Sequence, residues 1–467
     1  MNMNEAQPLV VRSGTDGIQW PAITRPEAAT ALAMQFQLEQ SQWWSAETLL
    51  QHQMGQLHRV LAHALESVPY YQQRFGDAGV SLGNELTYED WVRLPLLKRP
   101  QLQDAGKAIL STRVPPAHGR VETMKTSGST GMPVTIYATQ LVGLFWQALT
   151  LREHLWHRRD LSAKLAAIRF AKPSLALPPD GQKYSGWGPA TDVPFQTGPS
   201  VMLNIVSSTR QQAEYLVRED PDYLLTHPTI LAELVQYFGD HGMRLGNLRE
   251  VRTLGETVSE EIRQLCREAW GVPLVDMYSM VEAGYVALQC PKHEHYHVQS
   301  ESVLVEILDD DDRPCKPGEV GRVVLSSLHN FASPLIRYDP GDYAEVGAPC
   351  DCGRGLPVIK RIMGRTRNML VMPSGERYWP VLDLKAHGQF GLIRQLQMIQ
   401  KTPEDLEVRL VAKDHFGEKQ ETELVAALQQ TLGYPFRIRF VYMESIPRSK
   451  GGKFEGFISD IAAPVKR

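Results

Sequence analysis

The stretch DYLLTHPTILAELVQYF (222–238), continued by LREVRTL (248–254) and SEEIRQLCREAW (259–270), decides the fold. It alternates strand-like and helical signals, the pattern of an α/β domain. Downstream lie short β-rich runs, Val303 to Ile307 and Gly321 to Leu328, with turn signals at Asp309 to Asp312 and at Lys316-Pro317-Gly318. Upstream, Met34 to Phe75 carries apolar residues at helical spacing, with Leu57, Val60, Leu61, Ala64 and Leu65 on one face and Pro69 as the stop. Phe170 to Pro199 is poor in charge and rich in Pro, Gly and aromatic residues, which fits a long irregular excursion. Trp187, Phe195 and Met202 offer an apolar pocket or, the preferred reading, core. The last hundred residues form a separate pattern of strand Glu407 to Val411, helix Gln420 to Leu432 and strand Arg437 to Tyr442, a compact α+β unit. A hinge is expected at the polar Gly364-Arg365-Thr366-Arg367-Asn368. The expected fold class is α/β: a large multi-subdomain body with a β-rich portion, residues 1–363, and a small C-terminal α+β domain, residues 364–467.

The composition excludes several classes. Lys and Arg number 49 against 53 Asp and Glu in 467 residues, a net charge of −4, so there is no bulk pull toward nucleic acid or an anionic membrane. The first twenty residues contain Glu5, Arg12 and Asp16 and lack the apolar run of a signal peptide. Nowhere does an uninterrupted apolar run reach transmembrane length. Five cysteines are too few for a disulfide framework, and an odd number leaves at least one unpaired. A cytoplasmic protein is expected.

Four segments carry chemistry. Thr126-Ser127-Gly128-Ser129-Thr130-Gly131-Met132-Pro133 combines glycines, which let backbone N–H groups approach phosphate oxygens, with hydroxyl donors. It is not a P-loop, because no lysine closes that spacing. Asp276-Met277-Tyr278-Ser279-Met280-Val281-Glu282 puts a carboxylate four residues after an aromatic at the end of an apolar run. That carboxylate suits Mg²⁺, and Tyr278 suits a base. Pro334 to Asp342 ends a strand in a Gly-Asp turn whose Asp342 suits ribose hydroxyls. Pro447-Arg448-Ser449-Lys450-Gly451-Gly452-Lys453 is a basic, glycine-rich loop able to present a lysine to an anion. Taken singly, each also reads as an ordinary loop, turn or solvated charge run.

In this order the segments resemble the signature set of the adenylate-forming (ANL) superfamily. Ser67-Val68-Pro69-Tyr70-Tyr71, Leu94-Pro95-Leu96-Leu97-Lys98, Cys352-Gly353-Arg354 and Gly364 to Leu370 narrow the resemblance to its phenylacetate-CoA ligase-like branch, including CapK-type proteins. It implies an ATP-dependent carboxylate-activating ligase: a carboxylate attacks the α-phosphate, pyrophosphate leaves, and a second nucleophile displaces AMP. By motif, Thr126, Ser127, Gly128, Ser129, Thr130 and Gly131 would hold phosphates, and Glu282 would coordinate Mg²⁺. Gly255, Glu256, Tyr278 and Ser279 would line the nucleotide site, Asp342 would bind the ribose, and Arg365 would contact ribose or phosphate. Lys453, on a mobile lid, would bridge the substrate carboxylate and the α-phosphate, and would be withdrawn for the second step.

The resemblance also gives the cysteines a role. Cys290, His297, Cys350 and Cys352 match positions where branch members carry a structural Cys₃His zinc site, with His293 and His295 as competing ligands. The implied partners are a small carboxylic acid, aromatic acids included, ATP, and coenzyme A or a carrier protein, with no nucleic acid and no membrane; a homodimer is open. Three positions depart from the pattern: Val281 stands where a Thr or Ser hydroxyl is common, Asn368 where the hinge residue is often Asp, and Phe454-Glu455-Gly456 where an arginine often follows the lysine. These keep two alternatives in play, an adenylate-forming enzyme with an amine, hydroxyl or carrier-thiol acceptor, and a nucleotide-binding non-catalytic relative.

Overall fold

The structure, a computed structural model, describes residues 9–126, 133–380, 393–412, 414–449 and 451–461. Parallel strands Ser200–Asn204, Leu165–Arg169, Tyr223–Thr226, Glu250–Leu254 and Leu274–Met280 lie side by side in that order. The deciding stretch therefore folds as a strand-helix-strand-helix run that leads into the strand Leu274–Met280. His227 keeps extended backbone and Pro228 takes the first helical position of Pro228–His241, where a missing N–H costs nothing. Helices Thr209–Glu219, Pro228–His241 and Glu260–Trp270 bury one apolar core against the sheet, built from Leu203, Leu216, Leu224, Leu231, Phe238 and Val251 among others. Helix Gln140–Trp156 packs near the same strands through a second core with Met277, Tyr285 and Leu288.

Beyond Leu274–Met280 the sheet turns antiparallel. A hairpin to Gly284–Gln289 leads through Tyr296–Val298 and Val358–Arg365 to Asp342–Val346 and Val320–Ser327, all within one 14-stranded sheet. Strand Leu97–Lys98 joins its far end, parallel to Tyr338–Asp339.

The N-terminal helical region is three helices, Pro26–Ser41, Ala46–Ser67 and Pro69–Asp77. Pro69 does more than stop the second: it opens the third at the first helical position. The 170–199 excursion is mostly irregular, with a short strand Gln182–Tyr184 and a short helix Pro189–Asp192. Fully buried Asn204 pins its start, Nδ2 donating to the carbonyls of Ala171, Lys172 and Leu175 at 3.3, 3.3 and 3.1 Å. Phe195 is buried with Leu151 and Leu161, and Trp187 packs on them while its Nε1 donates to Ala163 O at 2.8 Å, so these two are core.

At the C-terminal end, strands run in the order Arg437–Tyr442, Asp405–Ala412, Ile393–Gln400, Phe457–Ser459, covered by helix Glu418–Leu432. Their own core includes Met398, Val408, Leu424, Leu428 and Phe436 and begins at Leu370. Between that core and strand Val358–Arg365 lies the single turn Thr366–Asn368. Among the described residues no helix is long and apolar enough to cross a membrane.

Candidate active site

The carboxyl ends of the parallel strands are where an α/β sheet leaves room for ligands. Here Thr226 leads into His227, Leu254 into Gly255 and Glu256, and Met280 into the hairpin turn that carries Glu282. Asp342 reaches the same place from the antiparallel part, and Lys453 from the C-terminal unit.

Tyr278 and Asp342 meet inside the sheet, the phenol donating to Asp342 Oδ2 at 2.7 Å. Arg365 Nε donates to the other oxygen at 3.0 Å, a placement fixed by the register that pairs residues 342 and 365 across adjacent strands. Burial, then the Asp342 charge, holds the Tyr278 phenol well above its ordinary range. Ser279, half-buried, pairs across the hairpin with Tyr285. Thr126 closes the strand Val121–Lys125, exchanging bonds with Val134, whose N–H donates to Thr126 Oγ1 at 2.9 Å. Ser127, Gly128, Ser129, Thr130 and Gly131, expected to hold phosphates, lie outside the described residues.

Glu282 is buried in its turn and accepts from Arg99 Nη1 at 2.9 Å, while Val281 beside it faces outward. Arg99 also donates from Nη2 to Thr126 Oγ1 at 3.3 Å. One guanidinium thus joins two of the residues expected in the site.

Lys453 lies over Gly255. Gly255 has φ +80°, and a Cβ there would stand 3.3 Å from Lys453 Cε and 3.2 Å from His227 Cε1, so a side chain would press on both. Burial, then the Arg365 charge, pulls the Lys453 ammonium below its ordinary value, opposed by Asp342, Glu282 and Glu256. Glu256 ties the lysine's loop to the body: it accepts from Phe454 N at 2.6 Å and from Thr229 N and Oγ1 at 3.1 and 2.8 Å. Arg448 adds bonds to Thr229 Oγ1 and Glu233 Oε1, both at 2.7 Å. Gly452, also left-handed at φ +80°, passes so close to Ile205 that a Cβ would clash at 2.9 Å. The departures are occupied as well: Asn368 Nδ2 donates to Phe457 O at 2.7 Å, and Glu455 pairs with Arg367.

Arg99, His227 and Arg448 belong to this site although the motif reading gave them no role. Arg99 directly follows the quoted Leu94 to Lys98 segment, and Arg448 lies in the quoted basic loop, so adjacency was the available signal. Nothing in the sequence marks His227, whose imidazole is pushed down to about 4 by burial, Lys453 and Arg448.

A second cluster sits away from these groups. Cys290, His295, His297 and Cys350 bring one ligand atom each within 4.8 Å of one another. Cys290 Sγ and Cys350 Sγ are 3.9 Å apart, and Cys352 Sγ is 3.3 Å from His297 Nε2. A tetrahedral ion with metal–sulfur bonds of ~2.3 Å and metal–nitrogen bonds of ~2.0 Å holds such pairs ~3.8 and ~3.5 Å apart. These donors suit zinc in kind, but the group that lies within 4.8 Å of one another holds His295 where Cys352 was expected. His295 Nε2 is buried without a partner among the described residues, a fifth donor beside the four expected. Cys266 and Cys315 stand elsewhere as free thiols.

A sheet-end site that sets the half-buried Lys453, Arg99 and Arg365 among Glu256, Glu282 and Asp342 is able to hold anionic ligands. Two families match the chain, AMP-binding enzyme over residues 121–333 and CapK C-terminal domain over residues 386–460. Similar curated proteins are the phenylacetate-coenzyme A ligases of Thermus thermophilus, 25% identical over 87% of this chain and 95% of the relative, and of Escherichia coli, 24% identical over 87% and 94%. Among solved structures, 2-hydroxyisobutyryl-CoA ligase in the postadenylation state superposes with a TM-score of 0.71 at 19% identity, covering 90% of this chain and 92% of that one. The same enzyme in the thioesterification state gives 0.59 at 18% identity, covering 90% and 92%. The chain carries an AMP-binding enzyme domain and a CapK C-terminal domain, is similar over most of its length to phenylacetate-CoA ligases, and is an acid-CoA ligase-like enzyme.

Proposed function

We propose that the chain transfers the AMP portion of ATP to a small carboxylic acid, with aromatic acids the first to test, and passes the acyl group to coenzyme A. In the first step a carboxylate oxygen bonds to the α-phosphorus, the bond to the bridging oxygen breaks, and its electron pair leaves on pyrophosphate. In the second, a thiolate sulfur attacks the acyl carbon and AMP departs, a far better leaving group than the original carboxylate oxygen. Lys453 carries this reading: it lies against Gly255 with Glu282, Asp342, Glu256 and Arg365 as its charged neighbours, where an ammonium can lie between two anions. Asp342 would take the ribose hydroxyls with Arg365 and Tyr278 holding its carboxylate in place. Glu282, buried and acidic, fits a Mg²⁺ ligand, and the ion would supply charge neutralisation on the phosphates. Bound zinc would clip the 290–297 and 350–352 segments together, away from the chemistry.

We place the division between a 1–363 body and a 364–467 lid at Gly364, with the turn Thr366–Asn368 as the hinge for withdrawing Lys453 between steps. The better superposition on a postadenylation structure supports a first-step arrangement here. Pyrophosphate exchange into ATP across a panel of carboxylic acids tests the function. Folded protein that binds ATP and exchanges with no acid would overturn it. A second reading keeps the adenylate and changes the acceptor to an amine, hydroxyl or carrier-protein thiol, favoured by Phe454 and Glu455 in place of the usual arginine. Formation of acyl-CoA with the best acid separates the two.

A further inference from the structure

Arg99 has no part in the reaction as set out above, yet it stands among its residues. Its position is fixed from the backbone. Leu97 and Lys98 pair in parallel with Tyr338 and Asp339, on the approach to Asp342, and Arg99 opens the helix Arg99–Ala105 immediately afterwards. From there Nη1 reaches Glu282 Oε1 at 2.9 Å, with the Tyr338 hydroxyl at 3.5 Å, and Nη2 reaches Thr126 Oγ1 at 3.3 Å. Nε is buried and finds no partner among the described residues. The side chains of Arg99 and Glu282 are only 12% and 6% exposed.

A structural counter-ion is the plainer role for such an arginine. Buried ion pairs, however, roughly break even against apolar packing, so stability alone gives little reason to set one here. The partners chosen are informative: a carboxylate expected to bind the nucleotide's divalent cation, and the first hydroxyl of the expected phosphate loop. A guanidinium is planar, always charged and forked, which matches phosphate oxygens better than any other side chain.

We propose that Arg99 is a ligand of the β- and γ-phosphates and of departing pyrophosphate, resting on the adenylation reading above. In the ligand-free chain it neutralises Glu282. When the nucleotide enters, the guanidinium turns its donors, the spare Nε among them, to the polyphosphate, and Glu282 is left open to the divalent cation. As the α-phosphorus to oxygen bond breaks, the electron pair accumulates on pyrophosphate, where Arg99 lies; no proton changes hands. AMP and the acyl-adenylate lack these phosphates and gain nothing from it.

Calorimetric titration of the full chain with ATP, pyrophosphate and AMP, beside Arg99→Ala and Arg99→Lys, tests the assignment. Arg99→Ala should weaken ATP and pyrophosphate by about tenfold to a hundredfold, the span of a charge-assisted hydrogen bond, and Arg99→Lys by less, with AMP nearly unmoved. An equal loss for AMP, or no loss for pyrophosphate, overturns it. Should Arg99→Ala fail to fold because Glu282 is stranded, Glu282→Gln is compared with the double variant Arg99→Ala/Glu282→Gln; equal pyrophosphate affinity in those two overturns it as well. Exchange in the parent chain with pyrophosphate binding unchanged in Arg99→Ala sinks this proposal alone. An Arg99-dependent pyrophosphate affinity in a chain that exchanges with no acid sinks the adenylation reading and leaves the phosphate ligand standing.

Discussion

Tyr278 donates to Asp342 at 2.7 Å inside the sheet, on the carboxylate oxygen that Arg365 leaves free. Asp342 is thereby held from both sides before any nucleotide arrives. Tyr278→Phe removes one hold while keeping the ring, leaving a buried carboxylate oxygen short of a partner. We expect a loss of about 1–3 kcal/mol in urea unfolding and weaker binding of both ATP and AMP, since both carry the ribose. Unchanged stability together with unchanged AMP affinity would show that the phenol contributes nothing to the site.

Lys453 gives the adenylation step a pH signature. Burial, then Arg365, lowers its affinity for a proton, so the ammonium is lost at a pH below the ordinary 10.5. In the ligand-free chain the folded state then binds fewer protons than the unfolded one. Its stability carries a penalty that is full below the lowered value and is relieved as pH rises toward 10.5. A bound polyphosphate opposes that penalty. Pyrophosphate exchange should therefore fall on an alkaline limb that begins earlier than a free lysine's, and nucleotide binding at alkaline pH should take up protons. Lys453→Ala should abolish exchange with ATP binding largely kept. A variant that still exchanges at the parent rate would remove Lys453 from the mechanism.

Arg448 bonds Thr229 and Glu233 of the body at 2.7 Å each and lies over the Phe454 ring, 5.5 Å from its centre. It is a cross-link between the lysine's loop and helix Pro228–His241. Arg448→Ala leaves Glu233 with Gln395 and Thr209, so no charge is stranded bare. Exchange should slow by about tenfold or more, because Lys453 is no longer held in place, while the unfolding midpoint moves little. Protease cleavage at the Thr366–Asn368 turn should quicken. A large drop in midpoint with exchange preserved would make Arg448 a stability residue instead.

The fold was legible wherever the apolar pattern had a period. The 222–270 run reads directly into parallel strands and helices because each buries one face, Leu224 and Val251 on the strands and Leu231 and Leu234 on the helix. The inner strand Ile393–Gln400 and the edge strand Phe457–Ser459 were not read: the first carries three glutamines among its eight residues, and the second is three residues long and owes its partner to a pairing with Met398 to Gln400 far back in the chain. The site was legible as motifs and not as contacts. Glu282 and Lys453 stand out by segment, whereas the Arg99 pair spans 183 residues and depends on a two-residue strand that no periodicity marks.

The cysteine cluster yields a prediction independent of the nucleotide. Cys290 and Cys350 are 60 residues apart in sequence and 3.9 Å apart at sulfur, and Cys352 meets His297 at 3.3 Å. Each distance suits a pair of zinc ligands, and the donors that lie within 4.8 Å of one another are Cys290, His295, His297 and Cys350, with Cys352 beside them on His297. Protein purified without added metal should carry one zinc per chain, and chelation should lower the unfolding midpoint because the ion joins two irregular segments. Cys290→Ser and Cys350→Ser should lose the metal. His295→Ala and Cys352→Ser compare the two candidates for the fourth position, Cys352 of the expected set and His295, which lies within 4.8 Å of the other three and has an unpartnered Nε2 among the described residues. Loss of zinc in His295→Ala with retention in Cys352→Ser would exchange the two ligands, and metal-free protein with an unchanged midpoint would leave the four residues as a packed thiol and imidazole cluster.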